Sequence, residues 1–249
     1  MRGITDTVKH LLIINVLMFI GTMTIGNGEL FYKWFALYFP KNEMFQPWQL
    51  VTHMFMHGGL THILFNMFAL WMFGTAVEQV FGAKKFIIFY LFSGLGAALI
   101  MLGFYYFKYL PSEGALLESG MSLNEIHQAL STNKVSEAVS EMQRMELQKM
   151  FPIFNSTMVG ASGAIMGVLV AFGMLFPESK LMLIFLPIPI KAKYFIPGII
   201  ALDLFSAITG QSIFSPSNTA FAAHVGGALT GFILMWFWKK NESDKYRWN

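Results

Sequence analysis

Six long apolar segments alternate with more polar connections along this chain of 249 residues. Each segment approaches the roughly 20 apolar residues that an α-helix needs to cross the hydrocarbon core of a bilayer. No A-x-A-like cleavage site follows the first segment, so we interpret it as a retained helix and not as a signal peptide. The pattern predicts an all-α, polytopic membrane protein with six spans, at residues 10–26, 62–81, 86–107, 159–176, 194–210 and 219–238.

Lysine and arginine in the short connections predict the orientation of the spans, because these residues favour the cytoplasmic side. Most of them fall on one side of a six-span arrangement. Both termini are then cytoplasmic, and spans 2, 4 and 6 all start at the outer face. The residues on the predicted cytoplasmic side are Arg2, Lys9, Lys84, Lys85, Lys180, Lys191, Lys193, Lys239, Lys240, Lys245 and Arg247, against Lys33 and Lys41 on the outer side.

Two stretches outside the spans have recognisable patterns. Residues 111–158 form a long polar region on the outer side, where Ser122 and Glu125 match a capping box and the apolar residues have helical spacing. We expect one or two amphipathic helices here, either a solvated loop packed on the outer ends of the spans or a cap that governs substrate access. Residues 181–190 are apolar but short and contain proline, so they predict an interfacial connector on the cytoplasmic side.

Composition supports a membrane protein and excludes several other classes. Hydrophobic residues make up 55% of the chain and charged residues 12%, whereas soluble domains carry about 25% charged residues. The chain has no cysteine, which excludes disulfides and thiolate chemistry. Because the net charge of +3 is small, we interpret the basic residues as membrane-flanking and expect no nucleic-acid partner. Residues 1–249 are predicted to form a single membrane domain.

Four polar residues inside the apolar segments are the candidates for function, since such side chains are costly in lipid. His62 and Asn66 lie four residues apart on span 2, which places them on one helix face. Ser162 lies near the start of span 4, and His224 lies near the start of span 6. All four fall in the first turns of spans that start at the outer face. They therefore share a depth in the membrane and could converge on one site.

Small residues on spans 4 and 6 are compatible with this convergence. Gly163 and Gly167 repeat at four-residue spacing on span 4, and Gly227 and Gly231 do so on span 6. Such stripes allow helix backbones to approach closely, although they are common in membrane helices and alone indicate only packing. Because a serine side chain is short, a histidine on a neighbouring helix reaches it only across such a close approach.

Ser162 and His224 have the chemistry of a nucleophile and its base. A serine hydroxyl attacks a carbonyl group efficiently only when a base removes its proton. Imidazole, with an ordinary pKa of about 6.5, can take that proton and then protonate the leaving amine. The oxyanion that forms needs donors already in place. His62, Asn66 and the backbone N–H of Ser162 can supply them.

No carboxylate in the spans is obviously placed to orient His224. Asp203 lies in span 5, and Glu78 lies near the inner end of span 2. The sequence therefore predicts a serine–histidine dyad and not a triad. Glu78 is expected to tie the inner end of span 2 to a neighbouring segment, while Asp203 has no assigned role.

Together these motifs resemble the rhomboid family of intramembrane serine proteases. The resemblance implies a six-helix bundle in which Ser162 is the nucleophile, His224 is the base, and His62 and Asn66 stabilise the oxyanion. It also implies substrates that are transmembrane helices, cut near their outer ends, and lateral access through span 5 and the loop at 211–218. The matching segments are His57-Gly-Gly-Leu-Thr-His62-Ile-Leu-Phe-Asn66, Gly160-Ala-Ser162-Gly163 and Ala223-His224-Val-Gly-Gly227.

Two positions depart from the pattern that many rhomboids share. The first outer loop carries Trp48-Gln49 where family members often have Trp-Arg, so its lipid anchoring is expected to differ. Met166 takes the place of an aromatic residue that packs on the catalytic histidine, although a thioether can still pack on an imidazole. The residues expected to support the site structurally are His57, Gly160, Gly163, Met166 and Gly227.

Two other functions stay open. Histidines are common metal ligands, so His53, His57 and His62 could build a metal-dependent enzyme or carrier. However, no His-Glu-x-x-His motif or adjacent carboxylate accompanies them; we therefore expect no metal or other cofactor, and assign His53 and His57 structural hydrogen bonds near the first outer loop. The second alternative is a catalytically silent relative that escorts membrane proteins, against which the presence of Ser162 and His224 argues. We expect a plasma-membrane location.

Overall fold

The computed structural model describes residues 3–136, 139–183, 186–211 and 220–245. Helices dominate these ranges, with two short antiparallel strand pairs: β1 (Leu37–Tyr38) with β2 (Thr157–Met158), and β3 (Lys180–Leu183) with β4 (Leu186–Lys191). The α-helices are α1 (Asp6–Thr24), α2 (Glu29–Phe35), α3 (Gln49–Thr52), α4 (Leu60–Ala69), α5 (Thr75–Phe81), α6 (Ala83–Glu118), α7 (Leu123–Thr132), α8 (Glu141–Phe154), α9 (Ser162–Leu175), α10 (Ala192–Thr209) and α11 (Phe221–Lys245).

These helices confirm the predicted polytopic bundle. Within the described residues, five segments are long and apolar enough to cross a membrane: α1, the continuous stretch Leu60–Phe81, α6, α10, and the Phe221–Trp238 part of α11. A π-helical turn at Leu70–Gly74 joins α4 to α5 in the second of these. The predicted span at 159–176 corresponds to the shorter apolar helix α9. The cytoplasmic position of both termini stays a prediction.

The central helix α9 is short and enclosed by its neighbours. Every residue from Gly163 to Phe172 is buried. Its 14 residues extend about 21 Å at 1.5 Å per residue, less than the roughly 30 Å of a hydrocarbon core. A helix of this length that ends near the inner face starts inside the membrane. Gly160 and Ala161, which precede the helix, are buried as well, as irregular backbone inside a membrane has to be.

Small residues bring α9 into close contact with α11 and α6. A Cβ on Gly227 of α11 would overlap the carbonyl group of Gly163, and a Cβ on Gly231 would lie 2.6 Å from the Gly167 Cα. On the other side, a Cβ on Gly163 would lie 2.6 Å from the Ala97 Cβ of α6. The small-residue stripes of spans 4 and 6 therefore meet at a single interface, where the helix backbones nearly touch.

The outer insertion contains the predicted amphipathic helices, α7 and α8. Ser122 and Glu125 form the capping box at the start of α7, and Ser140 and Gln143 form a second one at the start of α8. The apolar residues of both helices join the outer ends of α6 and α11 in one buried cluster. This cluster includes Ile126, Leu130, Leu147, Met150, Phe154, Ala98 and Ala223.

Span 3 is longer than predicted. Its helix, α6, has 36 residues, about 54 Å at 1.5 Å per residue, so it extends beyond the thickness of a bilayer. The predicted end at residue 107 is wrong, because the helix continues through Pro111 to Glu118. Proline removes one helical hydrogen bond, but Tyr109 and Leu116 on either side of it are fully buried in the outer cluster. The burial of these two side chains therefore stabilises the helix despite the proline, which would ordinarily end it.

The first outer loop is tied to the insertion by polar contacts. The Lys41 Nζ lies 2.6 Å from Oε2 of Glu113 on α6, and the Glu113 side chain is only 8% exposed. Asn42 donates a 2.9 Å hydrogen bond to the Phe154 carbonyl at the end of α8. The strand pair β1–β2 continues this connection. Since β2 leads into α9, these contacts hold the chain segment that precedes Ser162.

Polar contacts also organise the predicted inner end of the bundle. Glu78 accepts hydrogen bonds from the Thr5 hydroxyl at 2.6 Å and from the Val8 N–H at 2.9 Å, which confirms that it ties span 2 to a neighbouring segment. The described residues of the predicted connector at 181–190 belong to the antiparallel strand pair β3–β4. Glu178 pairs with Lys191 at the end of this hairpin, at 2.7 Å.

We expect Gly227→Ala to destabilise the bundle, because the added methyl group overlaps the Gly163 carbonyl and forces α9 and α11 apart. Overpacking of this kind costs roughly 1–3 kcal/mol. Gly103→Ala on α6 is the matched control, since a Cβ there meets nothing within 4 Å and alanine favours a helix over glycine. Thermal unfolding in detergent measures both variants. Equal unfolding temperatures for Gly227→Ala and the wild type would contradict the close packing.

Candidate active site

Ser162 is the first residue of α9, and a tight turn delivers the chain to it. Gly160 has a φ of +128°, in a region that favours glycine, and its N–H donates a 2.9 Å hydrogen bond to the His53 carbonyl. The Ser162 N–H is among the first N–H groups of the helix, which have no partner within it. An oxyanion beside Ser162 can therefore use this N–H and the positive end of the helix dipole.

His224 lies in the first turn of α11 and faces Ser162. Its Nε2 is 2.8 Å from the Ser162 Oγ, a hydrogen-bond distance. The His224 side chain is only 14% exposed. The backbone contact between Gly163 and Gly227 brings the two side chains within reach. The residues predicted as nucleophile and base are thus hydrogen-bonded to each other, while their roles stay predictions.

A third side chain, Asp203 of α10, reaches this pair. Its Oδ2 lies 2.9 Å from the Nδ1 of His224, so the expectation that no carboxylate of the spans is placed beside His224 is wrong. Spacing along α10 shows which face carries Asp203, but the neighbour of that face depends on helix packing. The signal that could have identified the contact is the depth of each residue in the membrane, which its position within its span indicates. The helix α10 ends at Thr209, and Asp203 lies about two turns before this end. His224 lies in the first turn of the next helix, α11.

His62 of α4 borders the same small space as the serine. A Cβ on Gly160 would lie 2.8 Å from the His62 Nε2 and 3.7 Å from the Ser162 Oγ. The Gly58 N–H donates to Nδ1 of His62 over 3.4 Å. When Nδ1 accepts in this way, the neutral ring carries its hydrogen on Nε2, beside Ser162. The structure therefore brings together His62, Ser162 and His224.

Asn66 and Met166 are buried near these residues. The Asn66 Nδ2 donates a 2.8 Å hydrogen bond to the carbonyl of His62, one turn earlier on α4. This contact supports the turn that carries His62, and the role of Asn66 as an oxyanion donor stays a prediction. Met166 lies in the buried core around α9. Its packing on His224 likewise stays a prediction.

The family model for the Rhomboid domain matches residues 44–241. This range contains the hydrogen-bonded pair Ser162 and His224 as well as His62 and Asn66. The chain belongs to the rhomboid family. It is therefore a multi-pass membrane protein with a rhomboid helical bundle.

Curated rhomboid relatives are similar to the chain at low identity. Rhomboid protein 1, mitochondrial, from Saccharomyces cerevisiae is 26% identical over 191 residues, which cover 77% of this chain and 42% of the relative. Presenilin-associated rhomboid-like protein, mitochondrial, from Homo sapiens is 26% identical over 242 residues, covering 95% and 50%. Rhomboid protease AarA from Providencia stuartii is 26% identical over 196 residues, covering 75% and 54%. The chain thus spans about half the length of these relatives.

In this rhomboid, Gln49 organises the first outer loop from a fully buried position. Its Oε1 accepts a 3.0 Å hydrogen bond from the Gln46 N–H, and its Nε2 donates to the carbonyls of Lys33 and Met44 at 3.1 Å. A neutral amide with these partners can be buried at a lower cost than a guanidinium group. These hydrogen bonds explain why glutamine suits this buried position after Trp48. The effect of the departure on lipid anchoring stays a prediction.

His53 and His57, which precede α4, differ in their hydrogen bonds. The His53 Nδ1 lies 2.8 Å from the Gln49 carbonyl, which confirms the structural hydrogen bond predicted for it. His57 is fully buried, and neither of its ring nitrogens has a hydrogen-bond partner within the described residues. The backbone of Phe55 is within reach of its ring, so the structural hydrogen bonds expected for His57 stay a prediction. The His57 ring packs edge-on against that of His62, with 5.0 Å between ring centroids.

Acid is expected to destabilise the protein through these two histidines. Burial lowers the pKa of His53 to about 4, and burial together with the nearby His62 lowers the pKa of His57 to about 3. The ordinary value in an unfolded chain is about 6.5. Between these values the unfolded chain binds protons that the folded protein excludes, so stability falls as the pH drops from about 6.5 toward 4.

Thermal unfolding in detergent at pH 7 and pH 4.5 measures this loss, which should be smaller in His57→Asn than in the wild type. The exposed His10 offers a control, because His10→Asn also removes a histidine but should lose as much stability as the wild type. An identical loss in all three proteins would contradict the assignment of acid sensitivity to His57.

Proposed function

We propose that this rhomboid is an intramembrane serine endopeptidase in which Ser162 is the nucleophile and His224 is the general base. The observation that carries the proposal is the 2.8 Å contact between the Ser162 Oγ and the His224 Nε2, at the start of an enclosed helix. Family membership supports it, and the similar protein from Providencia stuartii is named a rhomboid protease. Ser162 and His224 are both required by the chemistry.

In the proposed reaction, the His224 Nε2 takes the hydroxyl proton as the Ser162 Oγ attacks the carbonyl carbon of a peptide bond. The carbonyl oxygen becomes an oxyanion. Collapse of this intermediate breaks the C–N bond, and the leaving amine takes the proton from His224. A water molecule then loses a proton to His224 as its oxygen attacks the acyl-enzyme ester. The ester C–O bond breaks, His224 returns the proton to the Ser162 Oγ, and the carboxylic acid product leaves. Each half of the reaction starts with a neutral imidazole whose Nε2 is unprotonated.

Three groups are proposed to stabilise the oxyanion. The Ser162 N–H is held by the helix start before any substrate binds, so it requires little reorganisation during the reaction. The His62 Nε2 borders the same space as the Ser162 Oγ. Asn66 lies one turn further along the same helix face, and its amide is proposed to contact the oxyanion itself.

The position of Ser162 determines the proposed class of substrate. It lies at the start of a 14-residue helix that is shorter than a bilayer is thick, and the predicted orientation puts this start toward the outer face. We propose that the substrates are transmembrane segments of other proteins, cut near their outer ends. A plasma-membrane location is also proposed. Cell fractionation tests it against a mitochondrial location, which is the alternative because two of the relatives above carry mitochondrial names.

Ser162→Ala and His224→Ala should each abolish labelling by a fluorophosphonate probe, and cleavage of a transmembrane substrate in liposomes. Ser162→Ala removes the attacking hydroxyl group, and His224→Ala removes the imidazole that acts as its base. Ser93→Ala is the matched control, because Ser93 is a buried serine of α6 whose hydroxyl has no partner among the described residues. It should label like the wild type. Labelling that survives in Ser162→Ala would refute Ser162 as the nucleophile.

The same assay separates the two other functions that the sequence leaves open. A chelator-treated sample should label and cut like the untreated protein, and sensitivity to the chelator would favour a metal-dependent enzyme. In the part of the chain that the structure describes, no three histidine, aspartate or glutamate side chains are grouped so that they could hold a metal ion. A folded wild type that neither labels nor cuts would favour an escort protein.

Asn66→Ala should lower kcat by about 10²-fold and leave KM within about twofold, because an oxyanion donor acts mainly in the transition state. Initial rates in liposomes, measured over a range of substrate mole fractions, separate the two constants. Thermal unfolding verifies that the turn supported by Asn66 stays intact. A raised KM with an unchanged kcat would argue that Asn66 binds substrate and not the oxyanion.

A further inference from the structure

Asp203 is a buried acidic residue that the proposed reaction leaves unused. Among the residues that the structure describes, the partner of its side chain is His224, at 2.9 Å. An ionised carboxylate is costly in a membrane helix, and one partner offsets only part of that cost. A neutral side chain could tie α10 to α11 without it. The presence of a carboxylate at this position therefore points to a chemical requirement of His224.

We propose that Asp203 is a positioning residue that holds His224 in its reactive tautomer, so that the site works as a Ser162–His224–Asp203 triad. This inference rests on the proposed function, because it gives Asp203 a part in that reaction. An ionised carboxylate can only accept hydrogen bonds, so the contact with Asp203 requires the imidazole hydrogen on Nδ1. Nε2 is then an acceptor that faces the Ser162 hydroxyl at 2.8 Å.

The arrangement also fixes the orientation of the imidazole ring. Its two nitrogens contact side chains from two other helices, Ser162 of α9 and Asp203 of α10. Rotation of the ring breaks both contacts at once. Bulky side chains around the ring are therefore not the sole support for its orientation. This support is relevant here because Met166 stands where many rhomboids have an aromatic residue.

Asp203 continues to act when the reaction charges the ring. After Nε2 has taken the serine proton, His224 is an imidazolium 2.9 Å from the carboxylate. The Asp203 and His224 side chains are only 9% and 14% exposed, and opposite charges attract more strongly in such surroundings than in water. The carboxylate thus stabilises the charged intermediate. The Nδ1 hydrogen stays on the ring throughout, so Asp203 neither gains nor loses a proton.

The kinetic test uses Asp203→Asn, which keeps the size of the side chain and removes its charge. The amide can donate to Nδ1, which transfers the ring hydrogen to Nε2 and removes the base. The matching change in a soluble serine protease lowers kcat by roughly 10⁴-fold. We expect at least about a 10²-fold loss of kcat in liposomes, with KM within about threefold. A kcat within threefold of the wild type's would overturn the proposal.

Ser206→Ala is the matched control for this experiment. Ser206 is also a buried polar residue of α10, close to Asp203 in sequence, and the reaction does not use it. We expect Ser206→Ala to cut like the wild type. A loss in Ser206→Ala as large as that in Asp203→Asn would assign the effect to the packing of α10, and would overturn a specific role for the carboxylate.

A second test does not depend on cleavage. Nitrogen NMR of protein labelled with ¹⁵N-histidine reports which ring nitrogen carries the hydrogen, and the spectrum of His224→Gln identifies the His224 signals. The wild type should carry the hydrogen on Nδ1, and Asp203→Asn should move it toward Nε2. A structural tie alone does not require this exchange. A wild-type His224 with its hydrogen on Nε2 would overturn the proposal, even where Asp203→Asn fails to fold.

The two tests separate this inference from the proposed function. A wild type that shows the Nδ1 hydrogen but neither labels nor cuts would refute the protease and support the Asp203–His224 contact. A wild type that labels and cuts, and whose activity and His224 tautomer are unchanged in Asp203→Asn, would refute the triad and leave the dyad in place.

Discussion

The close approach of α9 and α11 is the constraint on which the rest of the structure depends. A serine side chain is short, so the Ser162 Oγ comes within 2.8 Å of the His224 Nε2 only where the two helix backbones nearly touch. Gly163 and Gly227 leave the required space. Lipid offers little hydrophobic driving force between helices, so van der Waals packing of such surfaces has to supply their association. One interface therefore stabilises the bundle and assembles the reacting pair.

The polar outer part of the molecule complements this interface. The Gly160 N–H bonds to the His53 carbonyl, and the ion pair between Lys41 and Glu113 joins the first outer loop to α6. The strand pair β1–β2 also joins the first outer loop to the segment that precedes α9. The chain that leads into α9 is thus held from outside, while the helix itself is held by packing within the bundle. Ser162 lies where the segment held by polar contacts meets the helix held by packing.

The sequence predicts the spans and the reacting pair because both depend on contrast with their surroundings. Ser162 and His224 are polar residues in apolar segments, and alternation of the spans places them at one depth. Asp203 has the same contrast, yet its contact with His224 depends on the rotation of α10 against α11, which spacing within one helix does not specify. The helical environment of Pro111 and the ring packing of His57 could not be predicted, for a related reason. Burial among distant residues decides their environment, and local rules do not include it.

The attachment of α10 has a consequence for the order of events in the proposed reaction. Its buried residues are few, Ala192, Ile196, Asp203 and Ser206, so much of its surface is left for lipid. The helix that contributes Asp203 is thus attached to the bundle along one narrow face. Coupling of this kind is reciprocal: in the proposed triad, withdrawal of α10 would remove the acceptor of the Nδ1 hydrogen, and the imidazolium would attract Asp203 and with it α10. If Asp203 has the role proposed above, the position of α10 and the reactivity of Ser162 are therefore coupled, and each influences the other.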